Sequence, residues 1–245
     1  MKRAEADIEE HERLLRTLNK TYGGRTSGMM VLRVVWRKYV QKIRTGWFYW
    51  AKRLFDIFAS GALLLALSPL FLFLIVFIKR DGGPAFYSQT RIGRYGREFR
   101  FWKFRSMVPN ADKMKKELME QNEMEGGVIF KMKNDPRITP IGRIIRKLSI
   151  DELPQLWNVL RGDMSLVGPR PPLPNEVAHY TSEERRRLDA EQGITCIWQV
   201  SGRSDIPFDD QVKLDVEYIQ NESLWNDIKL LLKTIPAVLL GKGAS

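Results

Sequence analysis

The sequence predicts a mostly α-helical protein with a small β-hairpin, held at one face of a membrane by a helix that enters and leaves on the same side. Three observations predict this fold class. Residues 57–78 carry no charge and are interrupted near their middle by Ser68-Pro69. Residues 84–107 contain two β-rich runs around a glycine-punctuated turn, and much of the remaining chain carries helix signals. At 245 residues and 44% hydrophobic content, the chain is long enough for one good-sized core.

Three regions follow from this pattern. Residues 1–46 are predicted to be a basic N-terminal appendage or interfacial helix, and residues 47–80 a re-entrant membrane helix. Residues 81–245 are predicted to form a cytoplasmic domain with interfacial helices. The stretch before residue 50 combines Trp and Tyr with Lys and Arg, which suits a membrane interface. An ordinary amphipathic helix packed on the domain is the alternative.

The apolar stretch 57–78 permits two interpretations. As a straight helix it would be about 33 Å long, which is enough for a simple membrane span. Pro69, however, removes a backbone hydrogen bond and predicts a kink, where the Ser68 hydroxyl can satisfy a freed backbone group. Basic residues flank both ends, whereas the positive-inside rule normally marks only one side. Both ends are therefore expected to face the cytoplasm, with the segment dipping into one leaflet and returning.

Asp56 lies beside the apolar stretch, four residues after Lys52 and three after Arg53. These positions adjoin on a helix, so an intrahelical ion pair at headgroup depth is expected.

Further elements are predicted along the domain. Residues 111–125 have the composition of a charged helix. Thr181 and Glu184 have capping-box spacing at the start of a helix that stops at Gly193. Residues 207–220 form a helix that begins at a proline, and residues 224–240 form a last helix whose apolar face lies on the bilayer or closes the core.

Charge and composition narrow the chemistry. Lys and Arg outnumber Asp and Glu by 13 to 5 in residues 1–53 and by 17 to 8 in residues 79–147, but are outnumbered 10 to 15 in residues 148–245. A basic patch attracts nucleic acid, anionic lipid or a phosphorylated ligand. One cysteine, Cys196, excludes an internal disulfide, and two distant histidines disfavour a zinc site or a Ser-His-Asp triad. If a metal is used, Mg²⁺ with oxygen ligands is expected.

The stretch "SIDELPQL" places two adjacent carboxylates, Asp151 and Glu152, after a run of basic residues. Ser149 and Glu152 have capping-box spacing, so a helix cap is one interpretation. That register would put Pro154 inside the helix, where its missing N–H costs a hydrogen bond. A helix that begins with Pro154 is more favourable, and it leaves the two acids on the turn just before it.

Cations surround this acidic pair in the sequence. Arg170 lies between two prolines in "GPRPP", and a guanidinium on so rigid a loop is pre-organised for bidentate contact with phosphate. A carboxylate beside such cations stays ionised and can attack phosphorus, while a second one can hold Mg²⁺. The other basic residues of this context are Lys103, Arg105, Arg137, Arg143, Arg146, Lys147 and Arg203.

Together, "KRLFDI…LLALSPLFL", "FYSQTRIGR…FRFWKFRSM", "DPRITPIGRIIRKLSIDELPQLWNVLRGDMSLVGPRPPLP" and "GITCIWQVSGR" resemble the bacterial sugar transferases. These are monotopic phosphoglycosyl transferases that initiate exopolysaccharide, capsule, O-antigen and glycoconjugate assembly. The resemblance covers roughly residues 47–243, and its most specific part is residues 135–174. The expectation is a short form, because the multi-span N-terminal domain of the long members is not found in the sequence.

The resemblance implies an enzyme of the bacterial inner membrane, with its catalytic domain on the cytoplasmic face. It would move a sugar 1-phosphate from a UDP-sugar to undecaprenyl phosphate and release UMP by a ping-pong course. Asp151 is implied as the nucleophile that forms an aspartyl-phosphosugar intermediate, and Glu152 as the Mg²⁺ ligand. The family's helix break corresponds to Ser68-Pro69. Phosphate or substrate contacts are implied for Lys103, Arg105, Arg146, Arg170, Arg203 and Asp215.

The partners expected are therefore a UDP-sugar, undecaprenyl phosphate, membrane lipids and a second copy of the chain in a homodimer, with no nucleic acid. The alternative is a membrane-anchored basic adaptor or nucleic-acid-binding protein without catalysis. That alternative explains the charge, but it gives the acidic pair and the Pro-Arg-Pro loop no role. The sequence does not select the sugar or the glycan pathway.

Overall fold

The computed structural model of the chain describes residues 27–111, 114, 135–202 and 206–240. Two compact units are distinguished, residues 1–50 and residues 51–245. The predicted class, mostly helical with a small antiparallel hairpin, is confirmed. The first 26 residues of the predicted appendage and most of the predicted helix 111–125 lie outside the described residues.

The elements of regular structure follow in chain order. The helices are α1 (Ser27–Ala66), α2 (Ser68–Ile78), α3 (Pro140–Lys147), α4 (Gln155–Arg161), α5 (Pro174–Ala178), α6 (Ile197–Ser201), α7 (Phe208–Gln220) and α8 (Leu224–Leu240). The strands are β1 (Phe86–Ile92), β2 (Glu98–Phe104), β3 (Ser165–Val167) and β4 (Gly193–Thr195). Short 3₁₀ turns cover Lys79–Asp81, Arg94–Gly96, Ile150–Glu152 and Glu184–Leu188.

The predicted kink at Ser68-Pro69 is confirmed. Helices α1 and α2 are separated at Leu67 and bent by 60° between Trp47–Ala66 and Ser68–Asp81. Pro69 occupies the first turn of α2, where a missing N–H costs little, and the Ser68 hydroxyl donates to the carbonyl of Leu65 at 2.8 Å. In the described part of the chain, no single helix has the length and apolar composition of a membrane span, whereas this bent pair has them together.

The hairpin is a two-stranded antiparallel sheet in which Phe86 pairs with Phe104 at one end and Ile92 with Glu98 at the other. Its turn contains Tyr95 at φ 56° and Gly96 at φ 82°. Left-handed backbone of this kind reverses the chain tightly, and glycine adopts it without strain. A separate parallel pair, β3 with β4, was not predicted from the sequence.

Two apolar clusters hold the hairpin. One lies between β2, α4, β3 and the C-terminal helices and is formed by Phe99, Phe101, Leu156, Val159, Met164, Leu166, Val167, Tyr218 and Leu230. The other joins the end of α2 to the hairpin and α3 through Leu74, Ile78, Ala85, Phe104 and Ile145. Side chains alternate between the two faces of a strand. The burial of Phe99 and Phe101 in one cluster and of Phe104 in the other therefore fixes the face to which each polar side chain of β2 points.

Lys52 and Asp56 of α1 bind distant segments of the domain. Lys52, which is 5% exposed, forms an ion pair with Asp227 and donates to the carbonyl of Val167 at 3.0 Å. Asp56 accepts a hydrogen bond from the backbone N–H of Leu166 at 3.0 Å. The expected intrahelical ion pair of Asp56 is therefore wrong, because buried backbone and carboxylate groups from distant segments bind these side chains instead.

Arg53 caps the C-terminal end of α4. Its guanidinium donates to the carbonyls of Val159 and Leu160 at 2.5 and 2.8 Å. These carbonyls belong to the last turn of the helix, where the regular α-helical partners end, and the Val159 carbonyl also accepts from the N–H of Gly162 at 3.0 Å. The contact ties α1 to α4.

Predictions for the C-terminal part vary in outcome. The helices predicted at 207–220 and 224–240 are confirmed as α7 and α8. The capping box is also present, since Thr181 and Glu184 exchange backbone-to-side-chain hydrogen bonds of 2.5 and 3.3 Å. The long helix expected after it is wrong. Only a 3₁₀ turn follows, because Arg187 turns inward to pair with buried Asp215 and the chain then enters β4.

Candidate active site

Asp151 and Glu152 lie on the 3₁₀ turn immediately before α4, as predicted. The helix begins at Gln155 with Pro154 as its N-terminal cap. Ser149 makes no side-chain capping bond, so the capping-box interpretation is not supported. Its φ of 53° is left-handed, which costs a non-glycine residue about 1–3 kcal/mol. The strained turn directs both carboxylates toward the hairpin.

Glu152 is held by two cations from different segments. Its Oε1 accepts a hydrogen bond from Lys103 Nζ at 2.7 Å and another from Arg170 Nη2 at 3.0 Å. Burial would raise the pKa of Glu152, but Arg170 and Lys103 outweigh it and hold that pKa well below the ordinary value. No described residue makes a hydrogen bond to the second oxygen, Oε2. Glu152 is therefore a carboxylate with one oxygen available to a ligand.

Asp151 has a different environment, although it is adjacent in sequence. It is 8% exposed, and its Oδ2 lies 3.9 Å from Lys103 Nζ. Burial raises its pKa, Lys103 opposes the rise, and the neighbouring charge of Glu152 adds to it. Lys103 thus contacts both acids, while Arg170 contacts only Glu152. Such unequal pKa shifts in adjacent carboxyls are typical of groups with separate chemical roles.

The position of Lys103 is set by a buried amide on α4. Asn158, at 0% exposure, accepts from the N–H of Trp102 at 3.2 Å and donates to the carbonyl of Arg100 at 2.7 Å. The side-chain amide thereby satisfies edge groups of β2 in the way a neighbouring strand would. Lys103 follows Trp102 directly, so the same contact fixes the cation relative to the acids that precede α4.

Arg170 lies on a loop that is fixed from both sides. Pro169 and Pro171 are fully buried, and the carbonyl of Pro169 accepts a hydrogen bond from the N–H of Gly193 at 2.8 Å. Gly168 approaches the backbone so closely that an added Cβ would lie 2.1 Å from the carbonyl oxygen of Glu191. Glycine is therefore required there. The rigidity predicted for the Pro-Arg-Pro loop is present.

The other predicted residues are placed less directly. Arg146 is half-buried, and its charge lowers the pKa of Asp151 without an ion pair to it. Arg105 binds Asp81 together with the carbonyls of Ile78 and Pro84, at 2.8 and 2.6 Å. Its guanidinium thus fastens the end of α2 to the hairpin.

Asp215 and Arg203 complete the predicted set. Asp215 is 1% exposed and forms an ion pair with Arg187. Burial raises the pKa of Asp215 to about 6, although Arg187 opposes that rise. Arg203 lies outside the described residues. The structure therefore brings Lys103, Arg170 and the two acids together, with Arg146 nearby.

The carboxylates fit an oxygen-liganded cation. In the described ranges, no group of three His, Cys, Asp or Glu side chains converges on one point. Mg²⁺ needs no such group, because in phosphate-handling sites it is held by one or two carboxylates plus phosphate oxygens and water. Glu152 Oε2 and the Asp151 carboxylate could supply those ligands, and the surrounding cations suit the phosphate.

The candidate site therefore combines two adjacent carboxylates with the fixed cations Lys103 and Arg170, in a domain whose helices α1 and α2 expose large apolar side chains. The sequence profile of the bacterial sugar transferases matches residues 47–241. The chain belongs to the bacterial sugar transferase family, and the resemblance noted from its motifs is confirmed.

Three relatives show the range of the family. The chain is 54% identical over 195 residues to the galactosyl transferase CpsE of Streptococcus agalactiae, covering 79% of this chain and 43% of that protein. It is 50% identical over 196 residues to the undecaprenyl-phosphate galactose phosphotransferase of Salmonella typhimurium, covering 79% and 41%. It is 44% identical over 198 residues to the exopolysaccharide production protein ExoY of Rhizobium meliloti, covering 79% and 88%. The chain thus spans about two-fifths of the first two relatives.

Proposed function

We propose that the protein transfers a sugar 1-phosphate from a UDP-sugar to undecaprenyl phosphate and releases UMP. The observation that carries this proposal is the contact of Lys103 with both Asp151 and Glu152, with Arg170 on Glu152. Family membership and a relative named as an undecaprenyl-phosphate galactose phosphotransferase support the same reaction class. They do not favour a non-catalytic adaptor.

The proposed course has two displacements at one phosphorus atom. A carboxylate oxygen of Asp151 attacks the β-phosphorus of the UDP-sugar, the bond from that phosphorus to the bridging oxygen breaks, and UMP leaves with the electron pair. An oxygen of undecaprenyl phosphate then attacks the same phosphorus. The Asp151–phosphorus bond breaks, the carboxylate is regenerated, and the product is a sugar linked to the lipid through a diphosphate.

The residues of the site fit these steps. Asp151 must be ionised to attack, and Lys103 favours that form against the effect of burial. Arg170 and Lys103 can neutralise charge on the phosphate oxygens as the bond to UMP breaks. Glu152 would hold Mg²⁺, which when bound supplies further charge stabilisation. The fixed Pro-Arg-Pro loop limits the reorganisation that the site needs.

The location proposed for the site is the cytoplasmic side of the inner membrane. Large apolar side chains of α1 and α2 are exposed, among them Phe58 at 71%, Leu65 at 78% and Leu72 at 67%. The 60° bend at Leu67 supports a re-entrant path, which would bring a lipid phosphate and a water-soluble nucleotide sugar to the same interface. A homodimer is a further proposal.

The direct test is UMP release from a panel of UDP-sugars with Mg²⁺ and undecaprenyl phosphate. UDP-galactose is assayed first, because two relatives are named for galactose or galactosyl transfer. Asp151→Asn should abolish release, and wild-type protein without lipid acceptor should accumulate a phosphosugar adduct on Asp151. No release across the panel, or full activity in Asp151→Asn, would contradict the proposal.

The re-entrant path is tested by cysteine accessibility in intact membranes. Trp50→Cys and Arg80→Cys introduce thiols at exposed positions, while native Cys196 is buried. Both introduced thiols should react only with reagent supplied from the cytoplasmic side. Labelling of the two positions from opposite faces would show a simple span.

A further inference from the structure

Arg91 lies on the same face of the hairpin as Lys103. It pairs with Phe99 in the hairpin register, and Tyr87 pairs with Lys103. Because side chains alternate along each strand, Arg91 and Lys103 point to the same side. The guanidinium lies 5.3 Å from the centre of the Phe101 ring, and Lys103 Nζ lies 5.4 Å from the same centre.

The hydrogen bonds of Arg91 connect it to the loop that carries Arg170. Its Nη1 donates to the carbonyl of Pro171 at 3.0 Å, and its Nη2 donates to Gln89 Oε1 at 3.2 Å. Within the described part of the chain, its buried Nε has no hydrogen-bond partner. A guanidinium has five N–H donors, so three of them are left without a bond.

Arg91 has no direct ion-pair partner among the described residues, although the more distant charges of Glu176 and Glu152 favour its charged form. No carboxylate of the described residues lies within 4.0 Å of it, whereas Arg170 has Glu152 at 3.0 Å. Burial, followed by repulsion from Arg170, lowers the pKa of Arg91 to about 10. A buried guanidinium beside another guanidinium is unfavourable unless an anion joins them.

We propose that Arg91 is a phosphate-binding residue that, with Arg170 and Lys103, completes the anion site above Glu152. The ligand is a phosphate oxygen, from either the diphosphate of the nucleotide sugar or the monophosphate of the lipid. This assignment rests on the proposed function for the identity of its ligands, but the anion site itself does not depend on turnover. A bound phosphate would accept hydrogen bonds from the unused donors of Arg91, and its negative charge would offset the repulsion between Arg91 and Arg170.

The test measures anion binding by the detergent-solubilised full chain, followed by the rise in thermal stability on titration. Inorganic pyrophosphate is the probe for the donor diphosphate, and a short-chain polyprenyl monophosphate is the probe for the acceptor. Arg91→Gln should weaken binding of at least one probe by about 10-fold or more, since hydrogen bonds to charged groups contribute about 1.5–3 kcal/mol. Arg161→Gln, which changes a guanidinium that is 58% exposed, should bind both probes as wild type does.

The outcomes separate the alternatives. Weakened pyrophosphate binding assigns Arg91 to the donor, and weakened polyprenyl phosphate binding assigns it to the acceptor. Wild-type affinity for both probes in Arg91→Gln overturns the proposal, even if the variant is less stable, because a residue that only holds the Pro171 carbonyl would behave in this way. If Arg91→Gln does not fold, Arg91→Lys retains the charge and should bind more weakly than wild type; wild-type affinity would overturn the proposal. Arg91-dependent pyrophosphate binding without UMP release by wild type would refute the proposed function and leave the anion site intact.

Discussion

Lys52→Met should destabilise the protein by about 3–5 kcal/mol, because it leaves Asp227 as an uncompensated charge. Lys52 and Asp227 are 5% and 1% exposed, so water cannot replace the lost partner. The carbonyl of Val167 loses its bond to Lys52, and the Tyr218 hydroxyl, 3.0 Å from this carbonyl and 2.8 Å from Asp227, can donate its one hydrogen to either acceptor. The main loss is therefore the buried ion pair, and α1 is the element released.

A double-mutant cycle distinguishes this ion-pair effect from lost packing. In Lys52→Met/Asp227→Asn neither charge is buried, and the asparagine oxygen can still accept the Tyr218 hydroxyl that now reaches Asp227 at 2.8 Å. The double variant should lose at least about 2 kcal/mol less than the sum of the two single variants. Lys213→Met removes a lysine from an ion pair that is 73% exposed at the lysine, and no measurable change is expected.

The assay is guanidinium denaturation of the detergent-solubilised full chain, followed by tryptophan fluorescence, with free energies compared at an unchanged denaturant slope. A loss below about 1 kcal/mol in Lys52→Met would show that the pair is not held as described. Additive losses in the double variant would show that the methylene chain of Lys52, and not its charge, provides the stabilisation. Either result would contradict a stabilising buried ion pair between Lys52 and Asp227.

Three further predictions concern the site and its support. Lys103→Met should lower UMP release and move the acid limb of its pH profile upward, because the cation that opposes the raised pKa of Asp151 is lost; Lys103→Arg should keep the wild-type limb. Burial raises the pKa of Asp215 to about 6 in the folded protein, above its ordinary value, so its protonation stabilises the fold at low pH and this contribution is lost as pH rises through about 6. Denaturation midpoints should show that this pH dependence is absent in Asp215→Asn. Gly168→Ala should displace the Arg170 loop, since the new Cβ would lie 2.1 Å from a backbone oxygen; reduced UMP release with unchanged circular dichroism is expected, and wild-type activity would contradict the close approach.

The break between α1 and α2 could be predicted from the sequence because it depends on local chemistry. A proline without an N–H and a serine that can satisfy a carbonyl are sufficient to predict a break at Ser68-Pro69, and the structure has it at the adjacent Leu67. The same holds for the turn before α4, where Pro154 excludes the capping-box register. Local covalent constraints of this kind are visible in one sequence.

The pairing of charges could not be predicted in the same way. Lys52 pairs with Asp227, which is 175 residues away, and not with the neighbouring Asp56. Arg91 required the hairpin register, which depends on the backbone of the turn at Tyr95 and Gly96. Asp215 had the sequence context of a site residue, but its pairing with Arg187 depends on how a 3₁₀ turn and α7 meet. Each of these contacts is set by tertiary structure.

The acidic pair, the strand that carries Lys103 and helix α1 are all connected to α4, a helix of seven residues. The acidic pair precedes its first residue, Asn158 in its middle fixes the strand that carries Lys103, and Arg53 of α1 binds the carbonyls of its last turn. A displacement of α1 would therefore be transmitted through α4 to the distance between Lys103 and the acids. In the proposed membrane location the exposed apolar face of the helix pair would contact lipid, while the charged side chains of α1 fix the geometry of the site. This explains why polar groups at the start of an apolar segment are buried in the domain and not left in water.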